Sequence, residues 1–128
     1  MNKDNVLNVV EQSAEKRARF LAAWKQGVEF LGPGLFGPAS PKTARSKEEL
    51  QPLKEEIEAV FNRESGGEEQ FLAAMVSFFD PEWGAELAAR IECYKSVCGL
   101  TFNLDHERIE ILCELLRNYE GWCLHDGG

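Results

Sequence analysis

Apolar side chains recur at helical spacing over the first part of this chain, from Val6 to Leu31. Because an α-helix turns once in about 3.6 residues, this spacing places them on one stripe, as burial against a core requires. The members of the stripe are Val6, Leu7, Val10, Ala14, Phe20, Leu21, Trp24, Val28 and Leu31. The helix is predicted to end at Gly32-Pro33-Gly34, since glycine suits the left-handed cap and proline cannot continue a helix.

Two further helices are predicted in the middle of the chain. The second helix starts at Ser46, which forms a capping box with Glu49, or at Pro52 after one loose turn. The third helix, Glu68–Phe79, is apolar nearly all round. Such a helix is expected at the centre of a bundle, because each of its faces must be covered.

The residue types that begin helices occur twice more. Asp80-Pro81 combines an N-cap carboxylate with a first-turn proline, and Asp105 is a second N-cap residue. The helices that follow are predicted to reach Gly99 and Gly121. The inward residues of the fifth helix are predicted to be Ile109, Leu112, Leu116 and Tyr119.

No segment has sustained strand alternation, although Leu100–Leu104 is a candidate for one short strand. The chain is therefore predicted to be all-α, a compact bundle of four to five helices that forms one domain over residues 1–128. Residues 32–45 are predicted to be one long Gly/Pro-rich loop, and residues 121–128 an irregular tail.

The loop over residues 32–45 holds three glycines and three prolines, yet it also contains the apolar pair Leu35-Phe36. A tether without structure would be polar throughout. The pair either folds back over the core or is an exposed hydrophobic anchor for a partner or a second subunit. Aromatic anchors of this kind are common in interfaces.

The net charge of −8 excludes the broad basic surface that binds a nucleic-acid backbone. Residues 1–47 carry eight basic and four acidic side chains, whereas the remainder carries six and eighteen. An acidic surface with Glu55 and Glu58 outward on the second helix could recruit a basic protein. Alternatively, the acidic face only keeps the protein in solution, or the two regions attract each other within one chain or between the copies of a homodimer.

Nucleic acids and membranes are not expected as partners. The short basic clusters within residues 16–19 and 42–47 are predicted to point in different directions or to lie in a flexible loop, which argues against nucleic-acid binding. The N-terminus is polar, and no apolar run approaches the ~20 residues of a membrane span, so neither a signal peptide nor a membrane contact is predicted. Four cysteines without a secretory signal favour reduced thiols and a cytoplasmic location.

The sequence lacks the motifs of common enzymes: a phosphate-binding glycine loop, a nucleophile elbow and a metalloprotease helix. His106 and Glu110 lie one helical turn apart, but they are more simply part of a charged first turn. Cys93 and Cys98 point about 140° apart on a helix, too far to bind one ion together. No catalytic residue, cofactor or metal is therefore predicted.

Arg17 interrupts the apolar stripe of the first helix. Its stem could pack on the core while the guanidinium reaches solvent or pairs with a carboxylate. Alternatively, the helix lines a cavity in which Arg17 faces an anionic ligand between Phe20 and Trp24, because small-molecule sites are mostly apolar with a few placed polar groups.

Two functional hypotheses follow. The first is a small, non-enzymatic, cytoplasmic binding or regulatory protein that acts through protein contacts on its acidic and apolar surfaces. The residues proposed for these contacts are Leu35, Phe36, Glu55 and Glu58. The second is a helical small-molecule binding protein with an inter-helix pocket. The residues proposed for this pocket are Arg17, Phe20 and Trp24.

Overall fold

The computed structural model describes residues 3–61, 66–91 and 104–121, with side chains from residue 11 onward. These residues form five α-helices, and the predicted all-α bundle of four to five helices is confirmed. The helices are α1 (Lys3–Leu31), α2 (Lys54–Val60), α3 (Gly66–Ser77), α4 (Pro81–Arg90) and α5 (His106–Asn118). Two short strands, β1 (Phe36–Pro38) and β2 (Leu50–Pro52), and two 3₁₀ turns, Pro33–Leu35 and Lys47–Glu49, lie between α1 and α2.

Helix α3 lies at the centre of the core, as its sequence predicts. Its buried apolar side chains are Phe71, Leu72, Ala73, Met75 and Val76. Helix α5 runs antiparallel to α1, because Arg108 at its start lies over the ring of Phe30 and Tyr119 just beyond its end lies beside Phe20. The other large core residues include Trp24, Val28, Leu50, Ile57, Trp83, Leu87, Ile111 and Leu115.

The predicted stripe of α1 is only partly buried. Phe20, Trp24 and Val28 are in the core, whereas Ala14 is exposed; the side chains predicted for the first turns lie outside the described set. The helix ends after Leu31 as predicted. The amide of Gly32 donates to the carbonyl of Val28 at 2.8 Å, and the φ of Gly32 is 114°, which favours glycine.

The segment over residues 32–45 is more ordered than the predicted loop. Strand β1 pairs antiparallel with β2, with Phe36 opposite Pro52 and Pro38 opposite Leu50. The indole nitrogen of Trp24 donates to the carbonyl of Leu50 at 2.8 Å and fastens this sheet to α1. Strands of three residues are too short to show alternation, and their prolines are tolerated because both strands are edges.

The capping box predicted for the second helix is wrong. Ser46 precedes only the 3₁₀ turn and makes no capping bond through its side chain. The carboxylate of Glu49 instead accepts a hydrogen bond from the amide of Arg45 at 2.6 Å. Helix α2 begins at Lys54, after β2 has ended at Pro52.

The two aspartate caps are confirmed. Asp80 accepts from the amide of Trp83 at 3.0 Å, and Asp105 accepts from the amide of Arg108 at 2.9 Å. Helix α4 ends at Arg90. Its predicted continuation, Cys93, Cys98, most of the candidate strand and the tail lie outside the described residues; Leu104 is buried and not in a strand.

The predicted inward face of α5 is correct in part: Ile109, Leu112 and Tyr119 are half-buried against the core, but the centre of the buried face lies about one position earlier and Leu116 is outside it. The buried residues are Ile111, Leu115 and Asn118, while the side chain of Leu116 is 66% exposed. Arg108 explains the rotation. Its guanidinium lies over Phe30 and Phe71, and it forms ion pairs with the carboxylates of Glu68 and Asp105, so an arginine occupies the inward position that an apolar pattern cannot identify.

Candidate ligand-binding cleft

A cleft of about 430 Å³ opens between α1, the turn over residues 45–48 and the end of α5. These three parts of the chain are far apart in sequence. The residues that line the cleft are Arg17, Ala18, Phe20, Leu21, Arg45, Ser46, Lys47, Glu48, Asn118 and Glu120. The volume is within the range of small-molecule sites, roughly 300–1,000 Å³.

The apolar part of the lining is supported by the core. The ring of Phe20 is stacked on Trp24 with centroids 5.9 Å apart, and it meets the ring of Phe78 edge-on at 5.7 Å. Leu21 lies next along α1 and is half-buried. Because Trp24 is fully buried, Phe20 is fixed from behind, and this side of the cleft is preformed.

Hydrogen bonds to Glu49 hold the opposite side of the cleft. Its carboxylate accepts from the amide of Arg45, and its own amide donates to the carbonyl of Ser46 at 3.2 Å. Its carbonyl accepts from the amide of Ala39 at 2.9 Å. The turn that bears Arg45 and Lys47 is therefore fastened to the β1–β2 sheet.

The cationic groups of the cleft have unequal surroundings. Arg17 donates to the hydroxyl of Ser13 at 2.8 Å, and that hydroxyl donates to Glu120 at 2.8 Å. Lys47 pairs with Glu48 at 2.5 Å. The guanidinium of Arg45 is exposed and has no hydrogen bond or ion pair with a described residue.

Glu48 is charged when it pairs with Lys47. Partial burial alone would raise the pKa of this carboxyl. The hydrogen bond from Lys47, together with those from the backbone and Ser46, outweighs the burial and holds the pKa of Glu48 below its ordinary value. The lining therefore combines three cations with the carboxylates of Glu48 and Glu120, an excess of one positive charge.

The structure separates the three residues proposed for a pocket. Arg17 and Phe20 line the cleft. Trp24 lies behind Phe20 with 0% exposure, so it does not line the cleft. Its indole nitrogen instead donates a hydrogen bond to Leu50 in the β1–β2 sheet. Arg17 is exposed, and its guanidinium is held at the edge of the apolar stripe by a serine rather than by a direct ion pair.

The four residues proposed for a protein partner do not form one exposed surface. Phe36 is 2% exposed and meets Trp24 edge-on at 5.7 Å, and Leu35 is half-buried against the core, so the pair folds back as the first alternative states. Glu55 is exposed. Glu58 is engaged within the fold, as its hydrogen bonds show.

Glu58 links α2 to α4. Arg90 donates to both carboxylate oxygens, at 2.6 and 3.1 Å, and the indole of Trp83 donates at 2.9 Å. The hydrogen bonds from Arg90 lower the pKa of Glu58, against a smaller opposing effect of burial, and they raise the pKa of Arg90. No local sequence pattern indicates this network, because Glu58 is 25 residues from Trp83 and 32 residues from Arg90.

The polar cleft residues that the sequence did not indicate are Arg45 to Glu48, Asn118 and Glu120, together with Ser13, which connects Arg17 to Glu120. The only sign of this cleft in the sequence is the pair of basic clusters within residues 16–19 and 42–47, which are predicted to point in different directions or to lie in a flexible loop. The structure brings Arg17 of the first cluster to the same cleft as Arg45 and Lys47 of the second. Local patterns could not reveal this, because the β1–β2 sheet sets the position of the second cluster.

The described residues offer neither a metal site nor a membrane-spanning helix. Across residues 3–61, 66–91 and 104–121, no three His, Cys, Asp or Glu side chains are grouped as a metal site would require. None of the described helices has the length and apolar character needed to cross a membrane. Comparisons of the chain with models of known protein families, with curated proteins and with solved structures found no match.

Proposed function

We propose that this protein is a non-enzymatic, cytoplasmic binding protein whose cleft takes up a small molecule with an apolar group and a negative charge. The observation that supports this most is the position of Arg45. Arg45 lines the same cleft as Phe20, and its guanidinium has no partner among the described residues. A preformed apolar surface beside a cation that pairs with no described carboxylate suits a small-molecule site.

This proposal takes up the second hypothesis from the sequence. Contacts with a basic protein or a second copy through Leu35, Phe36, Glu55 and Glu58 have less support. Phe36 belongs to the core, and the carboxylate of Glu58 is occupied by Arg90 and Trp83. Absence of enzymatic activity is proposed from the missing sequence motifs, and the cytoplasmic location from the four cysteines, which suit a reducing compartment.

The proposal is tested by calorimetric titration of octanoate, which has one carboxylate and an apolar chain. Arg45→Gln removes the charge that faces the cleft and keeps a side chain of similar polarity. Loss of one charged hydrogen bond corresponds to about 1.5 kcal/mol, so the affinity is expected to fall about tenfold.

Arg19→Gln is the matched control. Arg19 lies on the same helix as Arg17, but it is exposed, pairs with Glu15 at 2.5 Å and does not line the cleft. Octanoate affinity is expected to stay unchanged in this variant. Absence of octanoate binding to the unmodified protein, or an equal loss of affinity in both variants, would show that the cleft is not the binding site.

A further inference from the structure

We infer that the ligand of the cleft is a monocarboxylate and that Glu120 restricts the site to a single negative charge. This inference rests on the proposed function. The inference extends the proposed function by naming the charge of the ligand and the residue that selects for this charge. Glu120 follows the last turn of α5, and it reaches the cleft because α5 runs antiparallel along α1.

The pairing of charges in the cleft leaves room for one anionic group. Lys47 is neutralised by Glu48, and Arg17 is connected to Glu120 through the hydroxyl of Ser13. Arg45 is the cation without a described partner. A ligand with one negative charge would bring the lining to neutrality. A second negative charge would lie close to the carboxylates of Glu48 and Glu120, and the lining has no further cation to offset it.

The shape of a carboxylate suits the same groups. A guanidinium binds two oxygens of a planar carboxylate side by side, and Arg45 has its full set of N–H donors free for this among the described residues. Arg17 gives one donor to Ser13 and keeps the others. The apolar remainder of the ligand is expected to lie against Phe20 and Leu21.

Glu120 also positions Arg17. Because the hydroxyl of Ser13 donates to Glu120, the lone pairs of that oxygen are directed to the guanidinium of Arg17. Ser13 and Glu120 are therefore positioning residues. Removal of the Glu120 charge should relax the selection against dianions, whereas removal of the Ser13 hydroxyl should only loosen Arg17.

The test compares octanoate with octyl phosphate by calorimetric titration at mildly alkaline pH. Each compound has eight carbons, so the octyl chain of the phosphate is one CH2 longer than the apolar chain of octanoate, a difference that favours the phosphate. The phosphate monoester carries close to two charges under these conditions. The unmodified protein is expected to bind octanoate about tenfold more tightly, in line with the energies of close charge pairs. In Glu120→Gln this ratio is expected to fall to about twofold or less.

Two further variants separate charge from position. Glu107→Gln removes an exposed carboxylate from the other end of α5 and is expected to keep the tenfold preference. Ser13→Ala is expected to weaken the binding of octanoate a few-fold and to keep most of the preference for octanoate over octyl phosphate. The melting temperature and far-UV circular dichroism of each variant establish that it is folded.

The outcomes distinguish the two proposals. If octyl phosphate binds as tightly as octanoate, or if Glu120→Gln keeps the full preference, the charge selection is wrong although the cleft is a binding site. If neither compound binds to the unmodified protein, the proposed function is wrong and the selection fails with it. A preference for octanoate that collapses in Glu120→Gln and persists in Glu107→Gln supports both.

Discussion

Two adjacent leucines of α5 are expected to respond very differently to the same substitution. Leu115 has 0% exposure, whereas the side chain of Leu116 is 66% exposed. The helical spacing of the sequence predicts the opposite for Leu116, which belongs to the expected inward stripe. Replacement of each leucine by alanine therefore measures which face of α5 meets the core.

The size of each effect follows from the buried fraction. Leu115→Ala removes a fully buried side chain and leaves a cavity, which costs about 3 kcal/mol in well-packed cores. Only about a third of the surface of Leu116 is buried, so its truncation loses about 0.7 kcal/mol of transfer free energy. Alanine returns about 0.2 kcal/mol through its higher helix propensity, so Leu116→Ala should cost about 0.5 kcal/mol.

Urea denaturation followed by far-UV circular dichroism measures both variants. The free energies of unfolding are expected to differ by about 2.5 kcal/mol, with equal dependence on urea concentration. For a chain of this length the difference corresponds to roughly 10 °C in melting temperature. Equal losses, or a greater loss for Leu116→Ala, would show that α5 is rotated towards the face predicted from the sequence.

Two further predictions concern the contacts of α4. Gly84→Ala should lower the free energy of unfolding by about 3 kcal/mol, because the new Cβ would lie 2.6 Å from the Cα of Ser77. In the control Gly34→Ala the new Cβ meets no atom within 4 Å, so the free energy of unfolding should change by less than about 0.5 kcal/mol. Similar melting temperatures for the two variants would contradict the close approach of Gly84 to Ser77. The lowered pKa of Glu58 stabilises the fold above the ordinary carboxyl pKa of 4.5, and this contribution is lost as the pH falls through the lower pKa of the folded state. Glu58→Gln should therefore lose less stability on acidification than the unmodified protein, and parallel melting curves against pH would refute the role of the Arg90 pair.

Features set by neighbouring residues could be predicted from the sequence. The caps at Asp80 and Asp105 depend on a carboxylate and an amide three residues later, so the residue type alone indicates them. The end of α1 depends on Gly32 and the proline that follows. The central place of α3 follows from its apolar circumference, which no other segment of the chain shares.

Features set by distant contacts could not be predicted in this way. The β1–β2 sheet needs the pairing of Phe36 with Pro52 and the bond from Trp24 to Leu50, and neither contact leaves a periodic pattern. The rotation of α5 depends on Arg108, a charged residue that becomes inward because aromatic rings and carboxylates surround it.

The candidate site shows the same limit. Arg17 is conspicuous in the sequence because a charge interrupts an apolar stripe, and Phe20 is adjacent to it on the helix. Arg45 is not conspicuous, since it lies in a segment of prolines and glycines where charges are common. Its place opposite α1 depends on the fold of the segment between them. Half of the cleft could therefore be proposed from helical geometry, and the other half needed the tertiary structure.

The net charge of −8 excludes some anions more strongly than others. A nucleic acid spans much of the surface and would meet eighteen acidic side chains beyond residue 47. A small monoanion samples only the cleft, because charges farther away than about 8–10 Å are screened at physiological salt. The lining of the cleft has one positive charge in excess, to which Arg17 and Arg45 contribute. The charge of the whole chain therefore decides which macromolecules can bind, whereas the few residues around the cleft decide which small molecules can.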